Sequence, residues 1–422
     1  MSGKYIGMQQ ILKNKNSLVD YIPCAGHSLN LVGQSAVNCC AEAVSYFGFL
    51  QRLYTFFVAS THRWRILLIH IEQKPHGLIL KHLSDTRWSA RADATEAVFQ
   101  GYQQFHSALE EIAAADSQNR DTRNQANALA EHMDTIEVSF MCELWNDILQ
   151  RFNQCSKLLQ SATIELTTAI GLLKSLVQFI SDCREKFDIY EQKASDRCGN
   201  SSYKYESETR RIPKRKKHIS DGSAADAMES LTGKQKFKIN TLNVIIYQLN
   251  SALKKRTEAY STMQQRFGVL TEFESMSDDD IVAAIERLVG VYASDLSSDF
   301  YSEFCQFICW YKEQTKKKCS KEASTGIAQY MFKLMHETGI STAFPNTEVA
   351  LRIYLSLMAT NCSGERSFSQ LTRIKDVKRS TMSQNRLGVL ALLCIEKDLL
   401  SETDFSSLID EFGTVKARKV KI

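Results

Sequence analysis

Residues 361–380 read NCSGERSFSQLTRIKDVKRS and place two acids among five cations. Asp376 is interleaved with the last of the cations, whereas Glu365 stands apart in the small-residue segment CSGER. One interpretation is a solvated helix face, on which charges of both signs are common. The other is a metal-binding carboxylate next to cations that bind phosphate. The rest of the chain has to distinguish the two.

Length and composition limit the class of protein. The chain has 422 residues, of which 44% are hydrophobic, enough for two or three domains with a sizeable core. A net charge of +4 does not by itself demand a nucleic-acid partner. The cations are clustered, however, because residues 346–386 contain seven Lys or Arg against three acids.

The N-terminal sequence lacks the continuous apolar core of a signal peptide. No apolar run approaches the roughly 20 residues needed to span a bilayer, so we expect no membrane partner. The twelve cysteines are expected to be free thiols or small core residues in a reducing compartment. Their spacing does not favour a structural zinc site.

The hydrophobic pattern predicts long helices. The chain has four prolines and 18 glycines, and apolar residues recur at helical spacing in residues 140–155, 166–180 and 242–267. Residues 280–314 predict two more helices. In FPNTEVALRIY (344–354), Asn346 or Thr347 is expected to cap a helix, as is Ser383 for a later one.

One segment departs from this pattern. Residues 193–235 are polar and contain the basic run RRIPKRKKH (210–218). They predict an exposed, disordered loop. The run is either a nuclear-import signal or phosphate-contacting patch, or simply a solvated loop.

Three stretches together resemble a known family. They are PCAGHSLNLVGQSAV (23–37), HLSDTRWSARADA (82–94) and residues 344–398, which contain S-G-E-R-x-F-S and then R-S-x-M-x-x-x-R-L-x-x-L. The first has C-x-x-H followed by LNL, and the second has T-R-W. They resemble the hAT superfamily of cut-and-paste DNA transposases, in particular the group associated with MYM-type and TTF-type zinc-finger proteins.

The resemblance implies a mostly α protein in which a ribonuclease H-like α/β core is interrupted by a large all-α insertion domain. The core is expected to be truncated. The implied domains are residues 1–45 (part of the core), 46–335 (the insertion), 336–400 (the hAT C-terminal dimerisation region, closing the core) and 401–422 (a basic tail).

In the family, two aspartates and one glutamate bind divalent metal, and Mg²⁺ suits such oxygen ligands. Glu365 matches the glutamate. The second aspartate of the family precedes the S-G-K-Y segment that stands here at residues 2–5, and neither Asp20 nor Asp85 matches a catalytic aspartate. Glu365 is therefore expected to be vestigial. By itself the chain is expected to bind no cofactor and not to be an enzyme.

The resemblance also assigns DNA-binding residues. Arg366, Arg373 and Lys375 would contact the phosphate backbone, and Arg87 with Trp88 matches the R-W of the family. There the tryptophan stacks on a base flipped out of the DNA; the alternative is a buried indole that anchors the insertion domain.

Cys24 and His27 correspond to the C-x-x-H pair, which in the family belongs to the core. A packed thiol and a hydrogen-bonded imidazole are favoured over a metal pair, since two ligands do not make a zinc site.

The C-terminal region supplies the apolar surface for association. The predicted dimerisation residues are Phe344, Val349, Ile353, Phe368, Leu371, Leu387 and Leu390.

The predicted function is therefore that of a transposase-derived nuclear protein that is catalytically inactive. It would pair with itself or a related hAT protein and contact DNA weakly. The alternatives are a fragment of an active transposase whose aspartates lie upstream of Met1, and a non-catalytic DNA-binding module.

Overall fold

The computed structural model describes most of the chain, namely residues 7–72, 80–83, 88–161, 164–198, 205, 231–317, 326–357, 359–360, 362–376, 379 and 381–414, without the side chains of residues 317, 362, 363, 365 and 366. Within these ranges the regular elements are helical, and there is no strand. The prediction of a mostly helical protein is confirmed, whereas the ribonuclease H-like α/β core stays a prediction.

The chain divides into two units, Met1–Thr360 and Asn361–Ile422. The division lies inside the region predicted as residues 336–400, and the domain boundaries drawn from the sequence stay a prediction. None of the helices in the described ranges is both long and apolar enough to cross a membrane.

The described part of the larger unit is an assembly of helices. Its helices are α1 Met8–Lys15, α2 Ala25–Val37, α3 Ala41–Val58, α4 Thr61–Glu72, α5 Trp88–Gln100, α6 Tyr102–Ala114, α7 Arg120–Met133, α8 Ile136–Leu159, α9 Leu166–Cys183, α10 Phe187–Cys198, α11 Gly233–Phe237, α12 Asn243–Phe267, α13 Val269–Glu272, α14 Asp278–Val291, α15 Phe300–Lys317, α16 Ile327–Thr338 and α17 Pro345–Ser356. A π-helical turn, Lys238–Leu242, continues α11 into α12.

The long helices form where the apolar spacing predicts them. In α9, Leu166, Ile170, Leu173 and Ile180 are all buried, so the predicted stripe is the core face of the helix. The stripes of α8 and α12 are buried in the same way. The two helices predicted within residues 280–314 are α14 and α15. Helical periodicity was therefore sufficient to locate the core faces of these elements.

Two long helices organise the packing of the larger unit. Helix α8 contacts α3, α5, α9 and α10, and α12 contacts α9 and α14. Helix α2 lies against both α8 and α12 and therefore connects the two groups. At the centre, the side chain of Trp145 on α8 is completely buried.

A buried ion pair joins three of these helices. The Arg197 guanidinium on α10 donates to the Glu143 carboxylate on α8, with an Nε–Oε1 distance of 2.9 Å. It also donates to the carbonyl oxygen of Phe99 on α5 at 2.7 Å and lies over the Phe99 ring. Because both charged groups are largely removed from water, the pair fixes the relative position of these helices only while both partners are present.

The start of α17 differs from the prediction. The helix begins at Pro345, and neither Asn346 nor Thr347 caps it. Instead, the backbone N–H groups of Asn346 and Thr347 donate to the Glu303 carboxylate of α15, at 3.2 and 2.7 Å. The expected caps were wrong because proline at the first helical position lacks an N–H, and a carboxylate distant in sequence satisfies the next two.

The predicted loop 193–235 is partly helical. Residues 193–198 complete α10, and residues 233–235 begin α11. Tyr205 is buried, and its hydroxyl donates to the Glu191 carboxylate at 2.6 Å. The remaining parts, 199–204 and 206–230, lie outside the described residues, as does the basic run 210–218.

In the smaller unit the described residues form four α-helices, α18 Cys362–Ile374, α19 Gln384–Ile395, α20 Lys397–Glu402 and α21 Ser406–Thr414. Helix α18 packs against α19, and α20 follows in contact with α19. The Ser383 hydroxyl accepts from the backbone N–H of Arg386, which confirms the predicted cap of α19. Of the predicted basic tail, the structure describes only residues 401–414.

Candidate functional site

The smaller unit buries little of its own apolar surface. Among its described side chains, Ile374 at the end of α18 and Leu387 on α19 are buried. Helices α18 and α19 pack against each other. With only these two large apolar side chains buried, most of the described apolar side chains of the unit remain at least partly exposed.

The remaining apolar side chains form an exposed set, which we call the C-terminal apolar surface. It consists of Phe368, Val389, Leu392, Leu393, Ile395, Leu399, Phe405, Leu408, Ile409 and Phe412. Phe368 is 66% exposed and Leu392 is 60% exposed. Single exposed apolar residues are ordinary on a protein surface, but ten in so short a stretch are typical of an interaction surface.

The predicted dimerisation residues fall into two groups. Phe368 belongs to the exposed set, Leu371 and Leu390 are half-buried, and Leu387 is buried. The sequence did not single out Leu392, because α19 is apolar on all sides, and periodicity alone then cannot identify its free face.

The second group lies in the larger unit. The Phe344 ring is buried and packs edge-on against the Phe307 ring, with centroids 5.4 Å apart. Val349 and Ile353 are partly buried against the same core. These three residues therefore stabilise the larger unit itself.

The cations predicted to contact DNA are at the surface where they are described. Arg373 and Lys375 are exposed, as is Arg379 nearby. Glu365 and Arg366 are in α18, but their side chains lie outside the described part, and so does Arg87. The structure therefore brings together Arg373 and Lys375 at the end of α18 and does not test the others.

Trp88 is a core residue. It begins α5, is 7% exposed, and its ring lies 6.0 Å from that of Trp145 and 5.8 Å from that of Phe152. Its indole covers the backbone of α2 at Gly33, where an added Cβ would lie 1.1 Å from Trp88 Cε2. Of the two interpretations of Trp88, this geometry favours the buried anchor.

The N-terminal stretch of the larger unit meets residues close to the quoted segment. The backbone N–H of Ala25 donates to the Ala359 carbonyl at 2.9 Å, and Cys24 Sγ lies 3.8 Å from Thr360 Oγ1. Cys24 is half-buried, whereas His27 is exposed on α2. The structure thus brings the C-x-x-H stretch to residues 359–360.

Helix α12 holds the same stretch from the other side. The Tyr260 hydroxyl donates to the Pro23 carbonyl, and Arg266 forms an ion pair with Asp20. Burial raises the pKa of Tyr260 to about 12, so its hydroxyl remains a donor at neutral pH. Asp20 is therefore occupied by a cation of the protein itself.

The described residues contain no group of three or more His, Cys, Asp or Glu side chains that could hold a metal ion such as the Mg²⁺ that the family resemblance implies, and the Glu365 side chain is not among them. Asp20 neutralises Arg266, and Asp85 lies outside the described residues. We therefore derive no chemical step through a metal.

Comparison with known proteins gives a family for the C-terminal region. Residues 339–399 match the hAT family C-terminal dimerisation region. The human 52 kDa repressor of the inhibitor of the protein kinase is 21% identical over 405 residues, which are 91% of this chain and 50% of that protein. The chain thus spans about half the length of this curated relative. No solved structure is significantly similar. The predicted hAT relationship is confirmed.

The contact between Trp88 and Gly33 generates a stability prediction. Gly33→Ala should destabilise the protein by about 1–3 kcal/mol, because the added methyl group overlaps the indole and forces repacking. This would occur although alanine is the better helix former. The free energy of unfolding in urea is the measurement.

Gly171→Ala on α9 is the matched control, because nothing lies within 4 Å of an added Cβ there. It should be neutral or stabilise by about 0.5–1 kcal/mol. Equal effects of the two substitutions would contradict the close packing of Trp88.

Proposed function

This chain is a hAT-related protein with a C-terminal dimerisation region, and we propose that it associates through the C-terminal apolar surface with a second copy or with a related hAT protein. The observation that carries this proposal is the exposure of ten large apolar side chains on α18, α19, α20, α21 and their connections.

The energetics support association. Each Leu, Ile, Val or Phe removed from water contributes about 1.5–3 kcal/mol. Burying three or four such side chains contributes about 4.5–12 kcal/mol, which is comparable to the loss of about 4–15 kcal/mol in translational and rotational freedom. Burial of a larger part of the surface therefore gives a net gain. The ten exposed side chains on α18, α19, α20, α21 and their connections offer more apolar area than three or four residues supply.

The relative supports a regulatory role. The human protein is by name a repressor of an inhibitor, and this chain spans half of it. We therefore include in the proposal a protein-binding function in the nucleus. The proposal also includes a ribonuclease H-like origin of residues 1–45 and 336–400. The hydrogen bond between Ala25 and Ala359 supports this origin.

A substitution in α19 tests the association. Leu392→Asp should raise the dimer dissociation constant at least about 30-fold, because a charge at an apolar contact costs about 2 kcal/mol or more. Sedimentation velocity over a concentration series of the full chain is the measurement.

Leu158→Asp serves as the control, since Leu158 is 56% exposed but lies on α8 of the larger unit. It should leave the dissociation constant unchanged. The proposal fails if the unaltered chain stays monomeric at its highest soluble concentration, or if Leu392→Asp dimerises as tightly as the unaltered chain.

A second candidate function is weak, non-specific DNA contact. It is favoured by the exposure of Arg373, Lys375 and Arg379 within a few residues of each other. Cations so placed suit phosphate contacts, which position a protein on a duplex without reading its sequence. This function is compatible with association, since a dimer would present two such patches.

The salt dependence of binding tests this candidate. Replacing Arg373 and Lys375 together by Gln should reduce the slope of log K against log salt by about 2, because each lost phosphate contact contributes about 0.9. Fluorescence anisotropy with a labelled duplex measures it. Replacing the exposed Arg287 of α14 by Gln should leave the slope unchanged; no binding at low salt would eliminate the candidate.

We also include catalytic inactivity in the proposal. It is supported by the ion pair that occupies Asp20. Incubation of the full chain with Mg²⁺ and a duplex carrying candidate ends should give no strand-transfer product. Metal-dependent strand transfer that Glu365→Gln abolishes would refute this part of the proposal and revive the active-transposase alternative.

A further inference from the structure

The larger unit contains a groove that neither the association surface nor the DNA-contact candidate uses. It lies between α3, the beginning of α4, and α7, and has a volume of about 550 Å³. Its lining residues are Gln51, Arg52, Thr55, Phe56, Ala59, Arg63, Gln125, Ala128, Leu129 and His132. A volume of this size accommodates one or two large side chains of a bound segment.

The floor of the groove is apolar. Phe56 of α3 and Leu129 of α7 are buried within it, and Ala59 and Ala128 lie at its edges. Small alanine side chains at the edges keep the groove open. The residues from α7 recur at helical spacing along one face, so the groove follows the helix rather than ending in a closed cavity.

The rim is cationic. The Arg63 guanidinium lies over the Phe56 ring, 4.5 Å from its centroid, and Arg52 is exposed on the same wall. No carboxylate of the described residues forms an ion pair with either arginine. Burial lowers the pKa of Arg63, and no acidic group opposes the shift. The two guanidinium groups are therefore available to an anionic ligand.

The N-terminal end of α4 adds to this positive charge. The helix begins at Thr61, and the hydroxyl of Ser60 accepts from the backbone N–H of Arg63 at 3.5 Å. The first turn of α4 thus lies at the groove, with its positive N-terminal end near Arg63. The cationic rim and the helix end both favour negative charge at the same position.

We propose that this groove binds an acidic amphipathic peptide segment of a partner protein. Carboxylates of the segment would pair with Arg52 and Arg63, and an apolar side chain would enter between Phe56 and Leu129. Charge complementarity with two arginines that form no ion pair with a carboxylate of the described residues carries the choice of ligand. The apolar floor favours a peptide over nucleic acid, because a phosphate backbone has no side chain to fill it.

The test measures peptide binding to the full chain by fluorescence anisotropy. The probe is a fluorescein-labelled helical peptide of about 15 residues that carries Glu together with Leu and Phe anchors at spacings i, i+3 and i+7. We expect saturable binding that weakens with salt. A second peptide, in which Gln replaces every Glu, should bind at least about tenfold more weakly.

Substitutions locate the site. Arg63→Gln and Arg52→Gln should each weaken binding of the acidic peptide at least about threefold, and the double variant at least about tenfold. Arg65→Gln is the control, because Arg65 is exposed on α4 but does not line the groove. Circular dichroism verifies that each variant is folded.

Three outcomes overturn the proposal: no binding of the acidic peptide, equal binding of the Gln peptide, or an unchanged dissociation constant in the double variant. A DNA duplex of about 20 base pairs is tested as a competitor beside the unlabelled peptide. If the duplex displaces the labelled peptide at a lower concentration than the unlabelled peptide does, the groove is a nucleic-acid site instead. The Leu392→Asp variant leaves the groove intact. It should therefore bind the acidic peptide as tightly as the unaltered chain does, even though it dimerises more weakly.

Discussion

The contact between Trp88 and the bare backbone at Gly33 determines how the larger unit is assembled. It holds α2, α5 and α8 together, since the indole touches all three through Gly33, Trp145 and its own helix. An indole that buries about 200 Å² contributes about 5 kcal/mol, comparable to the entire net stability of many domains. Any side chain at residue 33 would force the indole to repack, and the contact that it makes with α2 would weaken.

The smaller unit, in contrast, buries few of its apolar side chains. Among its described side chains only Ile374 and Leu387 are large, apolar and buried, and units of fewer than about 70 residues seldom stabilise themselves with a single core. Association would supply the missing burial. In this view the C-terminal apolar surface contributes to the folding of the unit as well as to recognition, so stability and assembly are coupled.

Sequence reasoning succeeded where a single periodic signal decides the outcome. The stripes of α8, α9 and α12 and the cap at Ser383 depend on residues within one helix. It failed at the start of α17, because the anion that satisfies its first N–H groups is Glu303, 43 residues away. The free face of α19 and the environment of Trp88 were ambiguous for the same reason. The groove cations Arg52 and Arg63 read as ordinary solvated charges, because only the fold places both beside α7.

The contacts of α12 with the N-terminal stretch have a consequence for biosynthesis. Asp20 and Arg266 are separated by 246 residues, and Pro23 and Tyr260 by 237. A ribosome that adds about 5–20 residues per second needs roughly 10–50 s between these partners. During that interval α2 emerges without the helix that later covers it, so its apolar face is exposed to other nascent chains. The order of synthesis therefore places the C-x-x-H stretch among the segments that reach their final environment late.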